Sequence, residues 1–271
     1  MYQLTYHHPR TLDEAVRLFD EADDASYLSG GHTLLPTLKG RLAAPSALID
    51  LRDIPDLHGI ALENDRLVIG AATPHAQVAR SAVVRQHLPV VAELAGSIGD
   101  IHVRNFGTIG GSLANNDPAA DYPSAALAMD VIVQTNLRSI AADDYFTGLF
   151  STSLEPGEIV TRISFPTGVE CGYAKFRHPA SRYAMAASFV ARFGDRVRVA
   201  ITGAGSDGVF RWLEAEERLS ASFAPTALEG LVAAPDGMME DMSASAEYRA
   251  NLVAVMTVRA VKNMGRATIK P

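Results

Sequence analysis

Two pairs of adjacent glycines, Gly30-Gly31 in SYLSGGHTLL and Gly110-Gly111 in NFGTIGGSLAN, constrain this chain most. Each pair follows a short apolar run and is followed by polar and then apolar residues. Glycine lets the backbone turn with positive φ, and without a Cβ successive N–H groups can point at one acceptor. Two readings fit the spacing: a pair of ordinary tight turns, or two halves of a main-chain cradle for an anion such as a diphosphate. Each charge-assisted hydrogen bond in such a cradle contributes on the order of 1.5–3 kcal/mol, so no cationic side chain is required.

At 271 residues with 48% apolar content, the chain can bury one large or two modest cores. A net charge of −7 and the lack of any Lys/Arg run argue against nucleic-acid binding. No apolar run reaches the length of a membrane span. The opening MYQLTYHHPR has no basic region followed by an apolar core, so a cytoplasmic location is the expectation. Cys171 is the single cysteine, too few for an internal disulfide or an iron–sulfur cluster. The histidines have no H-x-x-x-H spacing, and no metal site is expected.

TLDEAVRLFDEA opens with Thr11 and Glu14 at capping-box spacing and reads as a helix. SYLSG and SALIDL read as strands around the first glycine pair, and GIALENDRLVIGAAT as a hairpin. PHAQVARS and LPVVAELAGSIG are helical in pattern, and VIVQT and EIVTRISFP are strand-like. TGVECG is a small-residue break and the preferred domain boundary. Beyond it YAKFRHP, SFVARF and RVRVAITGAG read as strands, and LEAEERL and PTALEGLVA as short helices. The tail from Ala246 to Met264 is an amphipathic helix with Tyr248, Leu252, Val255 and Met256 along one stripe.

Gly203 to Gly208 spells G-x-G-x-x-G after a strand. A dinucleotide loop of that spelling must open a helix inside a βαβ unit. VFRW follows here and is strand-like, so a glycine-rich hairpin is the preferred reading. After the second glycine pair, Asp117 and Pro118 have the chemistry of an N-cap and first helical residue. Ser112, Asn115 and Asp121 supply hydroxyl, amide and carboxylate partners for a ligand's hydroxyls. Asp121 is equally readable as a first-turn acid that stabilises a helix dipole.

YLSGGHTLLPTLKGRLAAPSALIDLRDI and VRNFGTIGGSLANNDPAADYP, in this order, resemble the flavin-binding medium subunit of the molybdenum hydroxylase family, which includes carbon-monoxide and xanthine dehydrogenases. GAATPHAQV, EIVTRISFP, KFRHPASRYAMAASFVA and SAEYRANLVAVMTVRAV are similar as well, so the resemblance spans essentially the whole chain. It implies an α+β fold. An FAD-binding domain of the vanillyl-alcohol-oxidase (PCMH) type would occupy residues 1–168. A small C-terminal domain, a three-stranded antiparallel sheet with helices, would occupy 169–271.

By the same resemblance Leu28, Ser29, Gly30, Gly31, His32, Thr33 and Leu34 wrap the FAD pyrophosphate from one side. Thr108, Gly111 and Ser112 close it from the other, with Asn115 nearby. Ala71 and Val103 line the cofactor, Asp121 takes hydroxyls of its sugar-like chain, and Val160 sits against the ring system. Lys175 matches a lysine near the flavin, its alternative being a solvated strand lysine. Tyr183 matches an aromatic position, but Ser181-Arg182 stands where many relatives have Gly-Asp, which leaves its contact open. No residue is assigned as catalytic. FAD is expected to be non-covalent, because no Cys or His lies in an attachment motif. The implied role is electron transfer to an external acceptor. The implied partners are a large molybdopterin-binding subunit carrying the molybdenum cofactor and a small subunit with two [2Fe-2S] clusters, in a dimer of heterotrimers. A self-sufficient small flavoprotein oxidoreductase and a non-catalytic nucleotide-binding module are the alternative readings, although little length remains for a substrate cap.

Overall fold

The computed structural model describes residues 1–270. The chain opens with strand β1 (Thr5–His7), helix α1 (Leu12–Asp20), β2 (Ala25–Leu28), α2 (Leu34–Lys39) and β3 (Ala47–Asp50). The strands form a parallel sheet in the order β1-β3-β2. Thr11 caps α1 by accepting from the Glu14 N–H, as its spacing predicts, and Glu14 accepts in turn from Arg10 N. All four residues of central β3 are buried, as befits the middle of a parallel sheet.

A second sheet begins with the hairpin β4 (Ile60–Glu63) and β5 (Arg66–Gly70). Its turn residues Asn64 and Asp65 both have positive φ, 46° and 61°, the geometry that matches the twist of two-residue hairpins. The chain then runs through α3 (His75–Arg80), α4 (Ala82–His87), α5 (Pro89–Ser97), α6 (Ile101–Phe106), α7 (Ile109–Asn115) and α8 (Tyr122–Ala128). It returns through β6 (Ile132–Thr135), β7 (Ser139–Ala141), α9 (Ala142–Tyr145) and a small ribbon, β8 (Phe146–Gly148) with β9 (Ser151–Thr152). Strand β10 (Val160–Pro166) then completes the order β4-β5-β10-β6-β7. Helix α4 was not foreseen. Ser81 caps it by accepting from Val84 N at 3.3 Å, and it ends at Leu88, the residue ahead of Pro89.

The third sheet contains β11 (Glu170–Arg177), β12 (Ala184–Phe193), β13 (Arg196–Thr202), β14 (Phe210–Arg211) and β15 (Ala267–Lys270), in the order β14-β13-β12-β11-β15. The three long strands are antiparallel, as expected, and two short edge strands extend them. β15 adds in parallel beside β11 and has no sequence pattern of its own. Glu170, Cys171 and Gly172, expected in a break, already belong to β11. PTALEGLVA forms only a 3₁₀ turn over Pro225–Leu228.

Helices α10 (Leu213–Ala221) and α11 (Ala246–Lys262) cover one face of the third sheet. The buried stripe of α11 carries Leu252, Val253, Met256, Ala260 and Val261. Tyr248, expected in that stripe, lies at its edge against Phe176. The opposite face of the sheet packs on α8, whose seven residues are all buried. One core therefore runs from Leu67 and Ile69, through Val90, Leu94, Ile109 and Tyr122, to Tyr173 and Phe189.

An ion network closes the seam beside that core. Arg198 on β13 is 2% exposed and donates to the Leu127 carbonyl at 2.7 Å and to both Asp143 oxygens, and it pairs with Asp130. Against the upward pull of burial, hydrogen bonds and charge from Arg198 hold the Asp143 carboxyl below the usual carboxylate range. Among the described residues no helix is long and apolar enough to cross a membrane. Arg198→Met is expected to cost about 2–3 kcal/mol in urea unfolding. That is below the cost of breaking a fully buried pair, because both carboxylates stay partly exposed.

Candidate functional site

A cleft of about 730 Å³ opens where the three sheets approach one another. Its first wall is the loop that leaves β2. Gly30 crosses the end of α6 at backbone distance: a Cβ there would lie 2.6 Å from Gly107 Cα and closer still to the Phe106 carbonyl. Gly31 has φ +73°, a conformation L side chains rarely adopt. Among the described residues, the N–H groups of Gly30, Gly31, His32, Thr33 and Leu34 have no hydrogen-bond acceptor. Five consecutive donors at a cleft wall form a concavity that suits an anion.

The second glycine pair has a different job. Gly110 and Gly111 are not a turn; they lie in the first helical turn of α7, and neither has positive φ. Thr108 caps that helix by accepting from Gly111 N at 3.1 Å. Ile109 N bonds the Thr73 carbonyl at 3.2 Å and Gly110 N the Ala71 carbonyl at 2.9 Å. These amides are thus spent on docking α7 against the end of β5. Gly110 is required there, since its Cβ would lie 2.7 Å from the Ala71 carbonyl oxygen. The two loops are joined by a 2.8 Å hydrogen bond between the Ser29 and Thr108 hydroxyls.

The segment after α7 forms the far wall. Asn116 ends α7 in the left-handed region, and its amide donates to the Gly148 and Ser151 carbonyls at 2.9 and 2.8 Å. Asp117 and Pro118, expected to start a helix, instead form a turn in which Asp117 accepts from Ala119 N at 2.8 Å. The helix begins later, at Tyr122. The reason is tertiary: Thr202 Oγ donates to the Pro118 and Ala120 carbonyls at 2.9 and 2.7 Å, and Gly203 N donates to Pro118 at 2.8 Å. The G-x-G-x-x-G run is therefore a hairpin connection, as expected, and its first glycine clamps this wall.

Asp121 and Lys175 meet at that wall. Lys175 Nζ lies 2.8 and 2.9 Å from the two Asp121 oxygens, and Tyr173 donates its hydroxyl to the same carboxylate. Lys175 is 1% exposed, so it is not a solvated strand lysine.

All the anticipated site residues line this one cleft except Leu28. Leu28 turns away, by strand alternation, to pack with Leu38 and Leu48. Ala71, Val103 and Val160 form apolar lining, and the half-exposed Tyr183 stands at the mouth beside Arg182, whose φ is +65°. Sequence reasoning missed Tyr27, His75, Glu158 and Ile159, which also line the cleft. Only the position of His75 directly after the GAATP turn hints at its place. It is 4% exposed and tilted on Tyr122 with ring centroids 5.4 Å apart, and its Nδ1 has no partner among the described residues. Burial first, then His32 and Arg104, pull it down to about 3.

A row of free main-chain donors, an elongated cleft with apolar lining and one buried ammonium suit a large cofactor with a diphosphate bridge, and the residues present fit FAD. The fold and cleft thus define a dinucleotide-binding chain. Residues 2–168 match the family model described as the FAD binding domain in molybdopterin dehydrogenase. The carbon monoxide dehydrogenase medium chain of Afipia carboxidovorans is 35% identical, over 95% of each chain. The nicotine 6-hydroxylase medium subunit of Paenarthrobacter nicotinovorans is 33% identical over 98% of each. Reconstituted CO dehydrogenase from Oligotropha carboxidovorans superposes with a TM-score of 0.88 at 34% identity, covering 96% of this chain and 97% of that one. The chain belongs to the FAD-binding medium subunits of the molybdenum hydroxylase family, and is one subunit of an FAD-dependent oxidoreductase.

The buried imidazole leaves a measurable trace. Its folded value lies below the 6.5 of a free imidazole, so the unfolded chain binds the extra proton. The stability due to neutral His75 is complete above pH 6.5 and falls with pH until about 3. Urea titrations from about pH 6 to pH 4 should show His75→Phe losing less stability than the native chain, by about 1.4 kcal/mol per pH unit.

Proposed function

We propose that this chain is the flavin relay of a molybdenum hydroxylase complex. In it this chain's residues would hold FAD, which would supply electron transfer between the two [2Fe-2S] clusters of a small partner and an external acceptor. Substrate oxidation belongs to a large partner with the molybdenum cofactor. The observation that carries the reading is the row of unpartnered amides from Gly30 to Leu34 along a cleft of cofactor size.

FAD, when bound, supplies reversible electron uptake and release. This chain's residues would hold it. The amides of Gly30 to Leu34 would donate to the diphosphate, and Thr108, Gly111 and Ser112 would close the cleft across from them. Val103, Ala71 and Val160 exclude water along its length. Asn115 and the Asp121 wall would meet the sugar-like chain, and Lys175 would place a positive charge beside the flavin. Tyr183 and Arg182 stand at the opening, where an acceptor reaches the cofactor edge. The division into an FAD domain at 1–168 and a companion domain at 169–271, the dimer of heterotrimers and the cytoplasmic location belong to the same proposal.

Purified alone, the chain should be yellow and should release its flavin on acid or SDS denaturation. Under anaerobic conditions its flavin should stay oxidised with carbon monoxide, purines, N-heterocycles or aldehydes, and should bleach with the complex's substrate only when both partners are present. Bleaching of the single chain by an organic substrate would make it self-sufficient, and a colourless chain that binds adenine nucleotides would make it a nucleotide module. Gly31→Val, which forces a branched residue to positive φ, is expected to fold yet retain less than about a tenth of the native FAD content, read from absorbance per chain.

A further inference from the structure

Tyr173 and Lys175 are two residues apart on β11, so both side chains leave the same face and reach one carboxylate, Asp121, just ahead of α8. Lys175 and Asp121 line the cleft; Tyr173 does not. Tyr173 is fully buried, with its ring 5.9 Å from that of Phe189. Burial, and then the Asp121 charge, hold the phenol well above its ordinary range, so its hydroxyl remains a donor. Phenylalanine would fill the same space. The hydroxyl therefore serves the carboxylate and not the packing, and it does so from outside the cleft.

We propose that Tyr173 is a positioning residue that sets the reduction potential of the FAD held in this cleft, acting through Asp121 on the charge that Lys175 presents. The inference rests on the FAD reading above. Asp121 and Lys175 impose opposing charges on the cleft. The phenol disperses the carboxylate's negative charge and fixes its orientation against the ammonium. The field reaching the cleft is then more positive than the bare pair would give, which favours the electron-rich reduced cofactor. Without the phenol, Asp121 keeps its full negative charge beside the cofactor, and reduction becomes harder.

The test is the potential of the FAD-loaded chain, measured by equilibration with reference dyes. Tyr173→Phe is expected to retain FAD and to lower the two-electron reduction constant about tenfold, a fall of about 30 mV. Adding Tyr173→Phe to Asp121→Asn is expected to change nothing, because the charge through which the phenol acts is gone. Phe189→Leu, which loosens the same core without touching Asp121, is expected to lower the melting temperature and leave the potential alone. The inference is overturned by a native potential in Tyr173→Phe, by an equal shift in Phe189→Leu or in the Asp121→Asn background, or by a folded Tyr173→Phe chain that has lost its FAD. A native chain without flavin overturns the FAD reading itself, whereas a yellow Tyr173→Phe chain at the native potential removes this inference alone.

Discussion

The crossing of Gly30 over Gly107 is the contact on which the rest of the site depends. The backbones approach at a distance that a Cβ on Gly30 would prevent, while a Cβ on Gly107 would instead meet His75 and the Val103 carbonyl. The Ser29–Thr108 hydroxyl bond fixes the crossing. That contact forces the loop after β2 to turn sharply through Gly31, which aims its amides at open space instead of at a neighbouring strand. An unpaired row of donors is costly in a core and useful at a cleft wall. The two glycine motifs therefore divide the work: the first offers amides, and the second spends its own on anchoring α7 to the end of β5.

The third sheet completes the site from the other side. Its central strands share one core with the helices of the first part, through the fully buried α8. That shared core places β11 against Asp121, and the β13 end against Pro118 and Ala120. Asp121 itself stands ahead of α8, but the buried lysine and the phenol that meet it come from β11. The Arg198 network on the same seam makes the packing polar and directional at its margin.

Much of this was legible in the amino-acid order. The capped α1, the β4–β5 hairpin, the long strands of the third sheet and the first glycine turn all carry local signals that tertiary structure left intact. The misreadings share a cause. Gly110-Gly111 looks like a turn because glycine is a poor helix former, yet Thr108 caps it and Ala71 leaves no room for a Cβ, so a helix of glycines persists. Asp117-Pro118 looks like a helix start, but Thr202 and Gly203 hold it as a turn from far along the chain. Lys175 and Tyr173 showed strand periodicity and nothing of their partner, because Asp121 lies 54 and 52 residues away. The resemblance places Leu28 in the cradle; its side chain, by alternation along the strand, packs in the core with Leu38 and Leu48.

The most direct measurement is a crystal structure of the chain loaded with FAD. Diphosphate oxygens are expected there at about 2.9 Å from at least three of the main-chain nitrogens between Gly30 and Leu34. A diphosphate lodged elsewhere in the cleft, with those amides facing only water, would contradict that expectation.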